Sequence, residues 1–361
     1  MANTAYGVNS AEAVKLWSRK LMREALKNTW ASKFMGKDSN SLCQIHDDTQ
    51  KSAGDRIRVI LRMQLTGDGI QGDGTLEGNE EALITHTDDL LINQLRHAVR
   101  SAGKMTEQRI PFSIREEARM GLQDWWSDRF DRWFMNVLTG NSAETDTKYT
   151  GNNVATTPTS NHHLFANGHT TEAAITATAS AIFSLALVDQ AVLKAKTLTP
   201  VMRKLDTGSD QSDWVMFITP EQHYDMRRNA SSIEWADIQK AAIQGGQLSN
   251  NPIFTGSLGV YGGVILHESY RIPIITSDGG SKIGRAVLCG AQAAIMAFGR
   301  GSSKNRMSWT EEMFDYGNQL GVEAGCISGM KKTVYNSNDF ATITVSAAHS
   351  TDAVAATGRA Y

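Results

Sequence analysis

Residues 111–140 read PFSIREEARMGLQDWWSDRFDRWFMNVLTG, and this stretch decides the fold. Ile114, Ala118, Leu122, Trp126, Phe130, Trp133, Phe134 and Val137 recur at steps of three and four, so a helix gathers them on one apolar stripe. Ser113 and Glu116 have the spacing of a capping box, in which each satisfies the other's free backbone N–H. Pro111 sits just outside, where a missing donor does no harm. Gly140 follows the last periodic residue, where a left-handed cap favours glycine. About 26 helical residues at 1.5 Å each make a rod of roughly 39 Å, more than twice the usual helix length. Burying its large side chains is worth on the order of 15–25 kcal/mol before conformational entropy. A rod this long and apolar needs a large surface laid along it.

Upstream, the period changes to two. Over residues 56–66, Ile57, Val59, Leu61, Met63 and Leu65 point one way and Arg56, Arg58, Arg62 and Gln64 the other, as in a half-buried strand. About nine residues at 3.3 Å reach roughly 30 Å. A glycine-rich acidic tip follows, GDGIQGDGTLEGNEE at 67–81, and a return segment runs over 82–100, although Leu91, Leu95, Ala98 and Val99 would also suit a helix. The whole predicts a long hairpin with a flexible end. A hairpin of this length cannot bury both faces on one small domain, so it is expected to reach toward something else. Further upstream, residues 11–30 predict a basic amphipathic helix with Val14, Trp17, Leu21 and Ala25 on one face. Glu12 and Glu24 interrupt its cations, so docking on the fold or on a neighbour is favoured over a membrane or DNA.

Downstream, residues 141–180 are rich in Thr, Asn, Ser and Ala and read as a long loop or irregular insertion. A helix is expected over 181–196, with Ile182, Leu185, Val188, Val192 and Leu193 on its apolar side. Residues 214–218 read as a buried strand running into Thr219, Pro220, Glu221 and Gln222, a capping box with proline at the first helical position. That helix reaches about Asn229, and another starts near Ser232 with Trp235, Ile238 and Ala242. Short strands follow at 264–267, 272–276 and 286–288, then alternating segments at 323–329 and 340–346. Residues 347–361 read as a loose tail.

The composition excludes several classes. With 361 residues, two domains or one with large insertions are expected, and 41 % hydrophobic residues suffice for real cores. A net charge of −2 gives no global pull toward nucleic acid or acidic membranes. No segment reads as a secretory leader, and the longest nearly apolar run, 286–299, is too short to span a bilayer. Cys43, Cys289 and Cys326 are far apart and read as buried thiols in a reducing compartment. Gly67, Gly69 and Gly72 match the dinucleotide fingerprint after a strand, but Asp68, Asp73, Gly74 and Gly78 neither start a helix nor welcome a phosphate. The acidic tip lacks the spacing of a calcium loop. His162, His163 and His169 invite a zinc reading, yet adjacent histidines on a strand point to opposite faces and no carboxylate sits at helical spacing. His223 beside Glu221, and His267 beside Glu268, lack a visible nucleophile and read as ordinary polar residues. No catalytic, cofactor or metal residue is therefore assigned.

The order of elements resembles the tailed-phage major capsid protein of the Hong-Kong-97-type fold, an α+β architecture. Local runs resemble its phage N-four-like branch: NNPIF at 250–254, VILHES at 264–269, GAQA at 290–293, WTEE at 309–312, DYGNQ at 315–319, GMKKT at 329–333 and NDF at 338–340. The resemblance implies an N-terminal arm over 1–53 and an extended loop over 54–108. It implies a peripheral domain over 109–184 with a spine helix at 112–139, an axial domain over 185–305, and closing strands with a tail over 306–361. It implies hexamers and pentamers of an icosahedral shell around double-stranded DNA, held without sequence-specific binding, in a virion assembled in the host bacterial cytoplasm. In such shells the extended loop lies over the neighbouring subunit. Trp17, Arg56, Arg58, Arg62, Glu77, Glu80 and Glu81 are the candidate inter-subunit contacts. A separate scaffolding protein and a portal are implied partners, a decoration protein an optional one, and a membrane none. No lysine lies between Lys51 and Lys104, so the isopeptide crosslink of some shells of this fold is not expected. The alternatives are a nucleotide- or metal-dependent enzyme using residues 67–72 or the histidine loop, and a cellular encapsulating shell of the same fold.

Overall fold

The computed structural model of the chain describes residues 29–47, 54–111, 113–229, 258–299 and 306–358, with 64, 66 and 210 excepted. The expected N-terminal helix, apart from its last two residues, lies outside them together with Trp17, and so does the helix expected from 232.

The rod is present as one helix, Ile114–Thr139, of 26 residues. Gly140 ends it in the left-handed conformation, φ 63° and ψ 44°, and the Asn141 N–H returns to the Asn136 carbonyl at 3.0 Å. A Cβ there would stand 2.5 Å from the Thr156 carbonyl oxygen, so glycine is needed for space as well as for φ. The start differs from expectation. Ser113 caps through its backbone carbonyl, which accepts from the Glu116 and Glu117 N–H groups, and its side chain caps nothing. Ser113 and Glu116 are both exposed, so water competes for the box. The same spacing holds at Thr219, where the Gln222 N–H meets Oγ1 at 3.1 Å and the Thr219 N–H meets Gln222 Oε1 at 3.0 Å. Thr219 and Gln222 are fully buried, so no water offers an alternative.

The single stripe describes only the first half of the rod. From Trp126 onward Ser127, Arg129, Asp131, Met135, Asn136 and Leu138 are buried as well. The 3-10 turn Trp30–Phe34 lies against this half. Asp131 accepts from the backbone N–H groups of Trp30 at 3.2 Å and Ala31 at 2.9 Å, and Arg271 ties Asp131 to Asp128. Phe34 stacks on Phe134, and Phe217 meets both rings edge-on.

Two sheets share one hydrophobic core with the rod. The eight-stranded sheet runs His163–Phe165, Thr342–Ala348, Lys282–Cys289, Gln211–Ile218, Val264–Glu268, Gly259–Tyr261, with Ile274–Thr276 and Leu205–Ser209 attached beside it. The six-stranded sheet is built on the long strand Gln319–Lys332. Its first part pairs with Met307–Phe314 on one side and Asn93–Arg100 on the other, and its last part with Ala294–Phe298. Residues 93–100 therefore leave the hairpin: the return segment crosses over at Ile92 and joins the core sheet. A short helix, Lys104–Arg109, leads from there to the rod.

The helix expected over 181–196 begins at Leu185, and Leu193 is 63 % exposed. Leu185, Val188 and Val192 are buried as expected, and Leu187, Ala191 and Ala195 complete the buried face. The tail is not loose as far as residue 358. Ser350 caps a helix, Thr351–Ala356, through the Ala353 N–H, and Asp225 holds Ser350 by both backbone and hydroxyl. Arg228 pairs with Asp352 on the same helix.

The cysteines are buried and unpaired, as the sequence suggests. Burial pushes the Cys43 and Cys326 thiols up to about 12, and Cys289 in the same direction. A disulfide-exchange reagent at pH 8 is expected to find no reactive thiol in the folded protein and all three after denaturation.

Candidate assembly surface

Strand Arg56–Arg62 pairs antiparallel with Thr85–Leu91, from Arg56 opposite Leu91 to Arg62 opposite Thr85. This is an arm with a fixed root. Ile57 and Leu90 pack on Ile295 and Ala297 in a small cluster apart from the main core. The 92 % buried Asp88 pairs with Lys331 and accepts the Val334 N–H at 3.2 Å. Asn153 closes a two-bond ring with the Leu91 backbone, at 2.9 and 2.6 Å. A Cβ on Gly329 would stand 2.2 Å from the Leu91 carbonyl oxygen, so the return strand lies flat on the sheet only because that residue is glycine.

Past the root the arm loses its apolar partners. Ile60, Leu65, Leu76, Leu83 and Ile84 are each more than half exposed. Residues 67–84 hold neither helix nor strand. Large apolar side chains left exposed along one element make it a candidate contact surface.

The charged candidates divide into two sets. Arg58 grips Asp89 with Nε at 2.8 Å and Nη2 at 3.1 Å, and Arg56 adds a bond at 3.3 Å. The Arg58 bond holds the Asp89 carboxyl below the ordinary carboxylate range. Glu80 accepts the Gly78 N–H at 2.8 Å and Glu81 the Gly67 N–H at 2.7 Å, so these two fold the tip on itself. Arg62 and Glu77 face solvent. Of the rod residues, Leu122, Trp126, Phe130, Trp133, Phe134 and Val137 are buried, and Ile114 is half-buried.

Among the described residues the enzyme alternative finds no support. The Gly67–Gly72 loop leads to irregular chain and then to strand Thr85–Leu91, with no helix N-terminus for a pyrophosphate, and a carboxylate already occupies the Gly67 N–H. His162 Nδ1 meets the Thr342 carbonyl at 2.9 Å, whereas His163 Nε2 meets Ser346 Oγ at 2.8 Å. Both bind one strand of the core sheet. His223 pairs with Glu268 across two elements at 2.7 Å, and not with its sequence neighbour Glu221.

Sequence reasoning missed a second exposed feature. The turn after Met307–Phe314 holds Asp315 and Tyr316 at φ 52° and 50°, a left-handed pair without glycine, and Tyr316 is fully exposed at its tip. Such backbone costs of order 1–3 kcal/mol per residue. Asp-Tyr-Gly-Asn between two alternating segments is a turn signal that would have found it.

The comparisons with known proteins agree on one family. The model of the phage capsid protein family matches residues 4–351. The major capsid protein of Pseudomonas phage KPP25 is 27 % identical over 365 residues, covering 92 % of this chain and 94 % of the relative. The capsid of Ralstonia phage GP4 superposes with a TM-score of 0.78 at 28 % identity, covering 96 % of this chain and 95 % of that one. The capsid subunit of cyanophage Pam1 gives 0.72 at 19 %, covering 98 % and 100 %. The fold is the Hong-Kong-97-type fold that the order of elements resembles.

Proposed function

The chain belongs to the phage capsid protein family, a major capsid protein that builds the virion shell from copies of itself, and from that premise we propose that its extended arm is the strap between copies. The observation that carries this reading is the contrast within the arm. Its root is locked to its own sheet by Asp88, Asn153 and the Ile57–Leu90 cluster, while Leu65, Leu76, Leu83 and Ile84 are left in water. A second copy lying under the tip would cover them, at about 25 cal/mol for each Å² of apolar surface removed from water. Arg62 and Glu77 face solvent on the arm and at its tip, ready to pair with opposite charges on the neighbour. Arg56, Arg58, Glu80 and Glu81 shape the arm itself and present their outer edges to the same contact.

On this reading the subunits form hexamers and pentamers that close into an icosahedral shell, because closed symmetry multiplies modest contacts. Double-stranded DNA inside is enclosed and not read, which suits a net charge of −2. Assembly takes place in the host bacterial cytoplasm on a separate scaffolding protein with a portal, a decoration protein being optional. The role is structural, with no catalytic residue. Four units divide the work: the N-terminal arm, the extended loop, a peripheral domain on the rod and an axial domain.

Replacing Leu65, Leu76, Leu83 and Ile84 together with serine tests the strap. The expected protein melts as the parent does, since the root is untouched, but sedimentation and negative-stain microscopy with scaffold show at least about tenfold fewer shells. Shells at parental yield would sink the reading.

A further inference from the structure

A cavity of about 110 Å³ lies between the rod and strand Asn93–Arg100. Its buried walls include Trp126, Arg129, Trp133 and Ser328, and exposed Gln94 and Lys148 stand on its rim. No Asp or Glu lines it.

Three polar groups on the lining residues are short of an acceptor. The indole Nε1–H groups of Trp126 and Trp133 are buried and have no hydrogen-bond partner. Those side chains are 99 % and 94 % buried, so water outside the cavity does not reach them. Arg129 is 93 % buried, yet no carboxylate lies within ion-pair distance of it among the described residues. Its guanidinium gives one bond to the Lys148 carbonyl at 2.9 Å and lies over the rings of Tyr149 at 4.0 Å and Trp125 at 4.7 Å. Asp146 and Asp128 act on it only from beyond ion-pair distance, so those contacts hold the group in place without pairing it. A buried cation normally comes with a counter-charge, and a buried donor with an acceptor. A water molecule needs about 10–15 Å³ of such space, so the cavity admits roughly seven or more waters' worth of ligand, room for a tetrahedral oxyanion.

We propose that this cavity is a binding site for one small oxyanion of the phosphate class, held by the Trp126 and Trp133 indole N–H groups and the Arg129 guanidinium, with Lys148 at its mouth. The ligand is an anion whose oxygens accept hydrogen bonds, which matches walls that offer donors and positive charge and no carboxylate. Bound there, it joins the middle of the rod to the strand beside the arm root.

Equilibrium dialysis against radiolabelled inorganic phosphate at fixed ionic strength tests this on both unassembled subunits and intact particles. The expected result is saturable binding of a single phosphate per chain in both. Trp133→Phe and Trp126→Phe keep an aromatic side chain while removing the N–H donor and part of the ring volume, and each is expected to weaken binding about tenfold, the worth of one hydrogen bond to a charged group. Arg129→Gln is expected to abolish it. No saturable binding would overturn the site, and so would binding that both phenylalanine variants leave unchanged. Phosphate bound by subunits but excluded from particles would also overturn the free-ion assignment, by giving the site to a carboxylate of a neighbouring copy.

Discussion

Trp126→Asp is expected to yield no soluble subunit and hence no particle. Trp126 is 1 % exposed at the middle of the rod, edge-on to Trp125 at 5.1 Å and tilted on Phe130 at 5.5 Å. Removing a buried tryptophan costs about 3–5 kcal/mol through lost transfer energy and the cavity left behind. An aspartate there must also enter the apolar interior, neutral at a cost or charged at a larger one, adding several kcal/mol. The total rivals the whole stability of about 5–15 kcal/mol expected of a domain. Trp126→Phe is the control: it keeps most of the ring volume and is expected to fold and assemble with a modest loss of melting temperature. Solubility and far-UV circular dichroism of the two variants separate loss of folding from loss of assembly. A Trp126→Asp protein that assembled normally would mean the rod does not bury the face assigned to it.

The rod was legible because everything that defines it is local. The three- and four-residue steps set its face, and the left-handed residue that ends it has to be glycine. The Thr219 box was legible for the same reason and held because it is buried, whereas the identical spacing at Ser113 lies in water and lost to it. What sequence could not show depends on partners far along the chain. Residues 93–100 leave the hairpin because strand Gln319–Lys332, more than 200 residues away, supplies their ladder. The tail is helical to Ala356 because Asp225 and Arg228 reach it, and a run of small polar residues carries no trace of those partners. The proposed assembly surface was half legible. The arm and its acidic tip read directly from period two and glycine, but Arg58 reads as free until Asp89 is placed opposite it.

Arg285→Met should cost about 3–5 kcal/mol, for it breaks a buried ion pair and uncaps the rod in one step. Arg285 lies on the core strand Lys282–Cys289 and is 7 % exposed. Its Nη1 donates to the Thr139 carbonyl at 3.0 Å and the Gly140 carbonyl at 2.8 Å, the end of the rod, where a cation also meets the negative end of the helix dipole. Nε and Nη2 take both oxygens of Glu172 at 2.7 Å each, and His163 and Ser346 close on the same carboxylate. One guanidinium thus fixes the rod, the irregular insertion and the sheet together. Burial alone would raise the Glu172 carboxyl, but the bonds from Arg285, His163 and Ser346 outweigh it and carry the group far below its ordinary value of 4.5. A carboxyl depressed on folding binds fewer protons than in the unfolded chain. The stability it supplies is full above pH 4.5 and drains as the pH falls through that value toward the folded one. Denaturant unfolding of the parent should therefore show a loss of stability beginning below about pH 4.5 and steepening with acid. In Arg285→Met the carboxylate has lost its partner, so the variant is weaker at pH 7 and its acid slope is smaller. Adding Glu172→Gln to Arg285→Met removes the stranded charge and should recover part of the loss, leaving the uncapped rod end as the remainder. If the single variant were as stable as the parent and kept its acid slope, the cap and the ion pair would contribute nothing to holding the rod on the sheet.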